Sequence, residues 1–188
     1  MKFKTPKKSD IIFLVIIVLL IVPQTRQPIQ IALHSVLSKL GPSVVKKEDR
    51  KEVSYSAWRL RDLNGKELNF TNTKGKVVFI NLWATWCPPC IAEFSTIQDL
   101  YNDYKNDVVF LLVSDESPAT IKKFLNKKGY DIQVFNPLTK YPDDFNPRSI
   151  PRTYIIDKEG YIVVDKKGAA NWNSNAIRKQ LDKMLKGS

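Results

Sequence analysis

At 188 residues with 43% hydrophobic content, the chain can bury one good core, while two full domains would be cramped. Its formal charge of +11 raises nucleic acid as a partner, but the lysines and arginines are dispersed among acids. No dense basic tract interleaves with aromatics and no zinc-finger or recognition-helix spacing is present, so nucleic acid is set aside and a solvated basic surface is the reading taken.

Lys2, Lys4, Lys7 and Lys8 precede twelve unbroken apolar residues, Ile11 to Val22. A basic start before an apolar run has the form of an export signal that leaves the lysines in the cytoplasm. Twelve residues are short of the roughly 20 that a membrane span needs, though flanking lysines snorkel. No small-x-small pattern follows Val22, so a retained signal-anchor over residues 11–27 is expected, behind a basic tail at 1–10. A cleaved signal peptide is the competing reading. Ile29, Leu33, Val36, Leu37 and Leu40 fall on one stripe of a short amphipathic helix. His34, the single histidine, lies within it and has no metal partner nearby. A charged linker follows, completing a segment at 28–53 before a soluble domain at 54–188.

Within that domain Asn64-Gly65 joins two short strand patterns into a hairpin. Residues 77–82, apolar but for Asn81, and 108–113, apolar throughout, read as buried strands. A helix pattern after Cys87 carries Ile91, Phe94, Ile97, Leu100, Tyr101 and Tyr104. Another spans 118–128, with Ile121, Phe124 and Leu125 inward and Gly129 as its stop. Strand, helix, strand, helix implies a right-handed crossover and parallel strands. The Pro-rich, aromatic stretch 135–147 has no period and is expected to be a loop or short helical insert near the active site. A second hairpin, turning at Lys158-Glu159-Gly160, and a last helix with Ile177, Leu181 and Leu185 inward end the chain.

The chemistry is located by Trp83-Ala84-Thr85-Trp86-Cys87-Pro88-Pro89-Cys90, which holds both cysteines. At three positions apart they cannot form a long-range staple. A Cys-x-x-Cys pair where a strand meets a helix is placed for dithiol–disulfide chemistry, because unpaired amides and the helix dipole favour a thiolate at the first cysteine. Buried, inert thiols are the bland alternative.

These residues, with Glu93 and Ile150-Pro151, resemble the TlpA/ResA type of membrane-anchored thiol–disulfide oxidoreductases of the bacterial cell envelope. The resemblance covers roughly residues 54–186. It implies an α/β thioredoxin fold: a central mixed sheet flanked by helices, here with an N-terminal β-hairpin extension and an anchor helix. It also implies a cis Pro151 facing the cysteines, with neighbouring backbone able to pair with substrate, and no cofactor or metal. Arg152 departs from the small residue usual there; it either brings positive charge to the disulfide or points to solvent. Asn81 stands where thioredoxin itself has a proton-shuttling acid, and asparagine cannot shuttle. Glu93 can: it shares the apolar stripe of Cys90, Ile97 and Leu100, where desolvation would raise its pKa. A solvated helix glutamate is the alternative.

The expected catalytic residues are therefore Cys87, Cys90 and Glu93, with Trp86, Pro88, Pro89, Ile150, Pro151 and Arg152 forming the substrate surface. Cys87, expected to be the more exposed thiol, attacks a substrate protein's disulfide and Cys90 resolves the mixed disulfide. Pro88 and Pro89 bring no N–H to the Cys87 thiolate, which favours a reductant over a disulfide donor. The family implies an upstream membrane dithiol donor. Haem-site cysteines of apocytochrome c, oxidised envelope enzymes and general repair all fit as substrates. The alternatives are a disulfide-donating oxidase and a Cu(I) carrier or adaptor. A carrier would want a histidine in the soluble domain, which has none after His34.

Overall fold

The computed structural model describes residues 7–21, 28–32, 41–145 and 148–187. The strands are β1 Arg59–Asp62, β2 Glu67–Asn69, β3 Val77–Leu82, β4 Val108–Val113, β5 Val134–Pro137, β6 Arg152–Ile156 and β7 Ile162–Lys167. They form one mixed sheet in the order β2-β1-β5-β4-β3-β6-β7. The helices are α1 Lys8–Ile21, α2 Pro88–Tyr104, α3 Pro118–Lys128 and α4 Asn175–Lys186, with a further helical turn at residues 28–32.

β3 is buried at every position, as an apolar run in the middle of a sheet requires. It pairs in parallel with β4 from Val77↔Val108 to Leu82↔Val113 and antiparallel with β6 on its other side. Alternation along β3 divides the core. Val77 and Phe79 face the helical side with Phe94, Ile97, Leu100, Ile121, Ile177 and Leu181. Val78, Ile80 and Leu82 face the other side, with Trp58, Phe70, Phe145 and Tyr154. The helices end where their sequences say. Ser117 accepts the Thr120 N–H at the start of α3, and Gly129 closes it in the left-handed region at φ 70°.

One expectation is corrected. Residues 135–137 belong to β5, which runs parallel to β4 and antiparallel to β1. The turn-rich chain beyond them carries Phe145 into the core on the face opposite the cysteines, because its ring is covered by Trp58, Phe70 and Tyr154. Residues 146–147 lie outside the described residues. The charged linker packs along the sheet: Val45 N–H donates to Val163 O, Ile162 N–H to Lys51 O and Val53 N–H to Gly160 O. Arg50, at 3.7 Å from Asp157, holds the same strap against the turn that joins β6 to β7. Backbone pairing along an open strand edge outweighs the solvation of its charged side chains, which still point outward.

α1 begins earlier than expected, at Lys8, and exposes Ile11, Ile12, Phe13 and Leu14. Among the described residues no helix is long and apolar enough to cross a membrane. Residues 22–27 of the expected anchor lie outside the described residues, as do residues 33–40 of the expected amphipathic helix with His34.

Candidate active site

The cysteine loop leaves the end of β3. Trp83 N–H donates to Val113 O (3.1 Å), extending the β3–β4 ladder by one residue, and its buried indole sits 4.6 Å from the Phe94 ring. The chain then turns, with Cys87 N–H donating to Ala84 O (3.3 Å). Cys87 is the N-cap of α2, and its Sγ accepts the Cys90 N–H at 3.3 Å. Pro88 and Pro89 fill the first helical positions, where a missing N–H breaks no intrahelical bond.

Cys87 and Cys90 are joined as a disulfide. Cys87 is 2% and Cys90 1% exposed, so the expected greater exposure of Cys87 is not found in this state. The bond holds both residues in the wall of the helical-face core. Trp86, beside them, is 66% exposed.

Glu93 lies three residues beyond Cys90, on the same face of α2, and is fully buried. Its Oε1 accepts from Asn81 Nδ2 (2.9 Å). Its Oε2 accepts from Trp172 Nε1 (2.8 Å) and from the Ala170 N–H (3.0 Å). Burial is the largest influence and pushes the carboxyl up to about 7, against these donors and the charge of Lys166, which pull it down. Asn81 Nδ2 also reaches Thr153 Oγ1 (2.8 Å), while Asn81 Oδ1 is buried without a partner. Rotating that amide by half a turn would offer Oδ1 to a protonated Glu93 and to the Thr153 hydroxyl, so the same side chain suits either proton state.

The Ile150–Pro151 bond is cis. Leu82 pairs with Arg152 in the β3–β6 ladder, which sets Pro151 just past the end of β3, where the cysteine loop departs. Ile150 packs against both core clusters. Arg152 is paired on its own side of the sheet. Its guanidinium grips Asp165 with Nε and Nη2 at 2.8 Å each and lies 5.1 Å over the Tyr154 ring. A bidentate carboxylate on the neighbouring strand neutralises its charge locally.

Several members of the site were not foreseen. Trp172, Ala170 and Thr153 complete the cage around Glu93 and Asn81, and no local pattern marks them. Glu116 was also missed. Its carboxylate accepts the Thr85 N–H (2.6 Å) and the Thr85 hydroxyl (2.7 Å), inside the cysteine loop. Among the described residues no group of three His, Cys, Asp or Glu is arranged to hold a metal ion. What the arrangement offers is a two-electron dithiol–disulfide couple beside a buried acid that can change proton state near neutrality.

The Redoxin family pattern matches residues 41–185. A relative named thiol-disulfide oxidoreductase ResA, from Bacillus thuringiensis subsp. konkukian, is 31% identical over 147 residues, covering 74% of this chain and 80% of the relative. Among solved structures, a thiol:disulfide interchange protein of the thioredoxin family from Chlorobium tepidum superposes with a TM-score of 0.57 at 20% identity, over 73% of this chain and 99% of that one. A DsbF homologue from Corynebacterium diphtheriae gives 0.59 at 17% identity, over 74% and 92%. At those identities the two structures speak for the fold alone. The chain belongs to the Redoxin family and is a ResA-like thiol–disulfide oxidoreductase of thioredoxin fold.

Proposed function

We propose that this enzyme works as a reductant of protein disulfides in the cell envelope, held to the cytoplasmic membrane by an anchor over residues 11–27 with its catalytic domain outside. The Cys87 thiolate attacks one sulfur of the substrate disulfide and expels the other as a thiolate, leaving a mixed disulfide. Cys90 then attacks Cys87 Sγ and frees the second substrate sulfur. Two electrons pass to the substrate and Cys87–Cys90 is left oxidised. Glu93 accepts the Cys90 proton as Cys90 becomes the attacking thiolate. A membrane dithiol returns two electrons and two protons to restore the reduced pair. Trp86 and the backbone at Ile150, beside Pro151, form the surface on which the substrate chain lies.

The observation that carries the reducing direction is the capping of Cys87. Its sulfur takes one local backbone N–H, from Cys90, because Pro88 and Pro89 have none to give. A thiolate with few donors is a better electron source than one that is strongly stabilised. The test is the Cys87–Cys90 reduction potential of the full chain, measured by equilibration with thiol buffers and alkylation trapping. A value near or below about −270 mV supports the reductant, and one near about −120 mV makes the enzyme a disulfide donor instead. Loss of insulin-disulfide reduction in Cys87→Ser is the expected control.

A further inference from the structure

Three fastenings hold the loop that presents Cys87. Two are backbone bonds, Trp83 N–H to Val113 O and Cys87 N–H to Ala84 O. The third is a side chain from another part of the fold: Glu116, in the turn between β4 and α3, takes both the N–H and the hydroxyl of Thr85. Glu116 is itself braced. Its own N–H donates to Ser114 Oγ (3.3 Å), and Asn136 Nδ2, from β5, donates to the carbonyls of Ser114 (2.6 Å) and Glu116 (2.8 Å). A half-buried carboxylate receiving three donors, from Thr85 N–H, the Thr85 hydroxyl and Ser114 Oγ (3.4 Å), and braced from β5 is not a casual surface contact.

We infer that Glu116 is a positioning residue of the reaction: it pins the loop at Thr85, two residues before Cys87, and its negative charge biases Cys87 toward the neutral thiol. This rests on Cys87 being the attacking sulfur. A like charge beside a developing thiolate disfavours it, opposing the dipole of α2, which favours it. The other charged groups around the loop are fixed by different elements. Lys123, Lys127 and Lys128 of α3 line the groove that Thr85 and Ile91 share. Glu93 lies within α2, Arg152 is closed on Asp165, Lys166 stands on β7, and Asp115 takes the Tyr141 hydroxyl. None of them bonds Thr85. Glu116 thus keeps the couple reducing by destabilising the reduced, thiolate form, and it does so from the one acidic side chain fastened to the loop among the described residues.

Glu116→Gln separates charge from anchoring. Its carbonyl can accept the Thr85 N–H and its amide can donate to the Thr85 hydroxyl, so the loop stays tied while the charge goes. Two quantities are read on the full chain. One is the pH dependence of Cys87 alkylation in the reduced protein; the other is the equilibrium constant of Cys87–Cys90 with glutathione. Expected are an apparent Cys87 titration lower by about half to one pH unit and an equilibrium shifted about three- to tenfold toward the reduced protein, modest because the carboxylate is half-exposed. Thr85→Val, which keeps the charge and loses only the hydroxyl bond, should stay within about twofold of wild type on both. Glu116→Gln within twofold of wild type on both readouts would overturn the inference. So would an equal shift in Thr85→Val, which would assign the effect to anchoring alone. A wild-type pair that exchanges normally while the variants match it sinks this inference only; a wild-type pair that does not exchange with glutathione removes the functional reading as well.

Discussion

The two faces of the sheet are closed by different means. On one, α2, α3 and α4 lay aliphatic stripes over β3, β4 and β6, and this face holds the disulfide, Glu93 and Trp172. On the other, residues from the irregular chain before β1, the 3-10 turn Phe70–Thr73 and the segment after β5 cover the strands with rings. Phe145 meets Phe70 nearly edge-on at 5.3 Å and Tyr154 at 5.2 Å, and Trp58 packs 5.5 Å away. Such rings close a surface without the length a helix needs, each pair adding about 0.5–1.5 kcal/mol beyond its buried area. Among the described residues the one fully buried acid, Glu93, lies on the helical face. Chemistry and structural reserve are therefore stacked on opposite sides of the same central strands.

The largest expected effect tests that division on the aromatic side. Phe145→Ala should destabilise the fold by about 3–5 kcal/mol, as removal of a fully buried ring does. The glutathione equilibrium of the cysteine pair, read below the unfolding midpoint, should be unmoved. An altered equilibrium would show that the two faces are coupled.

Glu93→Gln probes the helical face. Rotation of the Asn81 amide provides an acceptor for the new side-chain amide, so folding should survive. Disulfide reduction should slow by about a hundredfold, with its dependence on pH near neutrality flattened. Stability should change with pH as well. Glu93 goes from 4.5 to about 7 on burial, so between those values the folded state binds more protons than the unfolded state and stability falls as pH rises. Below about pH 4.5 the penalty is absent; above about 7 it is fully present, on the order of 3 kcal/mol. Denaturant titrations at pH 5 and pH 8 should show this slope in wild type and lose Glu93's share of it in the variant. Equal slopes would mean that Glu93 does not carry the proton.

The smallest effect is Arg152→Ala. With its charge closed on Asp165 and its side chain partly exposed, the loss should be under about 1 kcal/mol. The redox equilibrium should change less than about twofold. A larger shift would return Arg152 to the disulfide's electrostatics.

What could be read in the sequence follows the same division. β3, α2 and β4 announced themselves through apolar runs and a 3.6-residue stripe, and the same stripe placed Glu93 beside Cys90 and indoors. The aromatic face has no period to read. β5 is four residues long, ends in Pro137, and becomes a strand only by lying between β4 and β1, whose paired residues are far away in the chain. The partners of Glu93 were hidden for the same reason: Ala170 and Trp172 lie 77 and 79 residues from it. The ion pair of Arg152 was hidden because Asp165, opposite Tyr154 on the next strand, comes near only once the β6–β7 register is known.

The strap over β7 has a consequence for the company this protein keeps. Extended chains with exposed cysteines readily add themselves to any open strand edge, and an enzyme that receives them risks being built into an aggregate. Here the start of β7, at one edge of the sheet, is already paired with residues 45–53. The other is β2, three residues long, with Glu67 held by Arg59 and Arg61. Strapped at one margin and short and charged at the other, the sheet leaves less free edge for an extended chain to join.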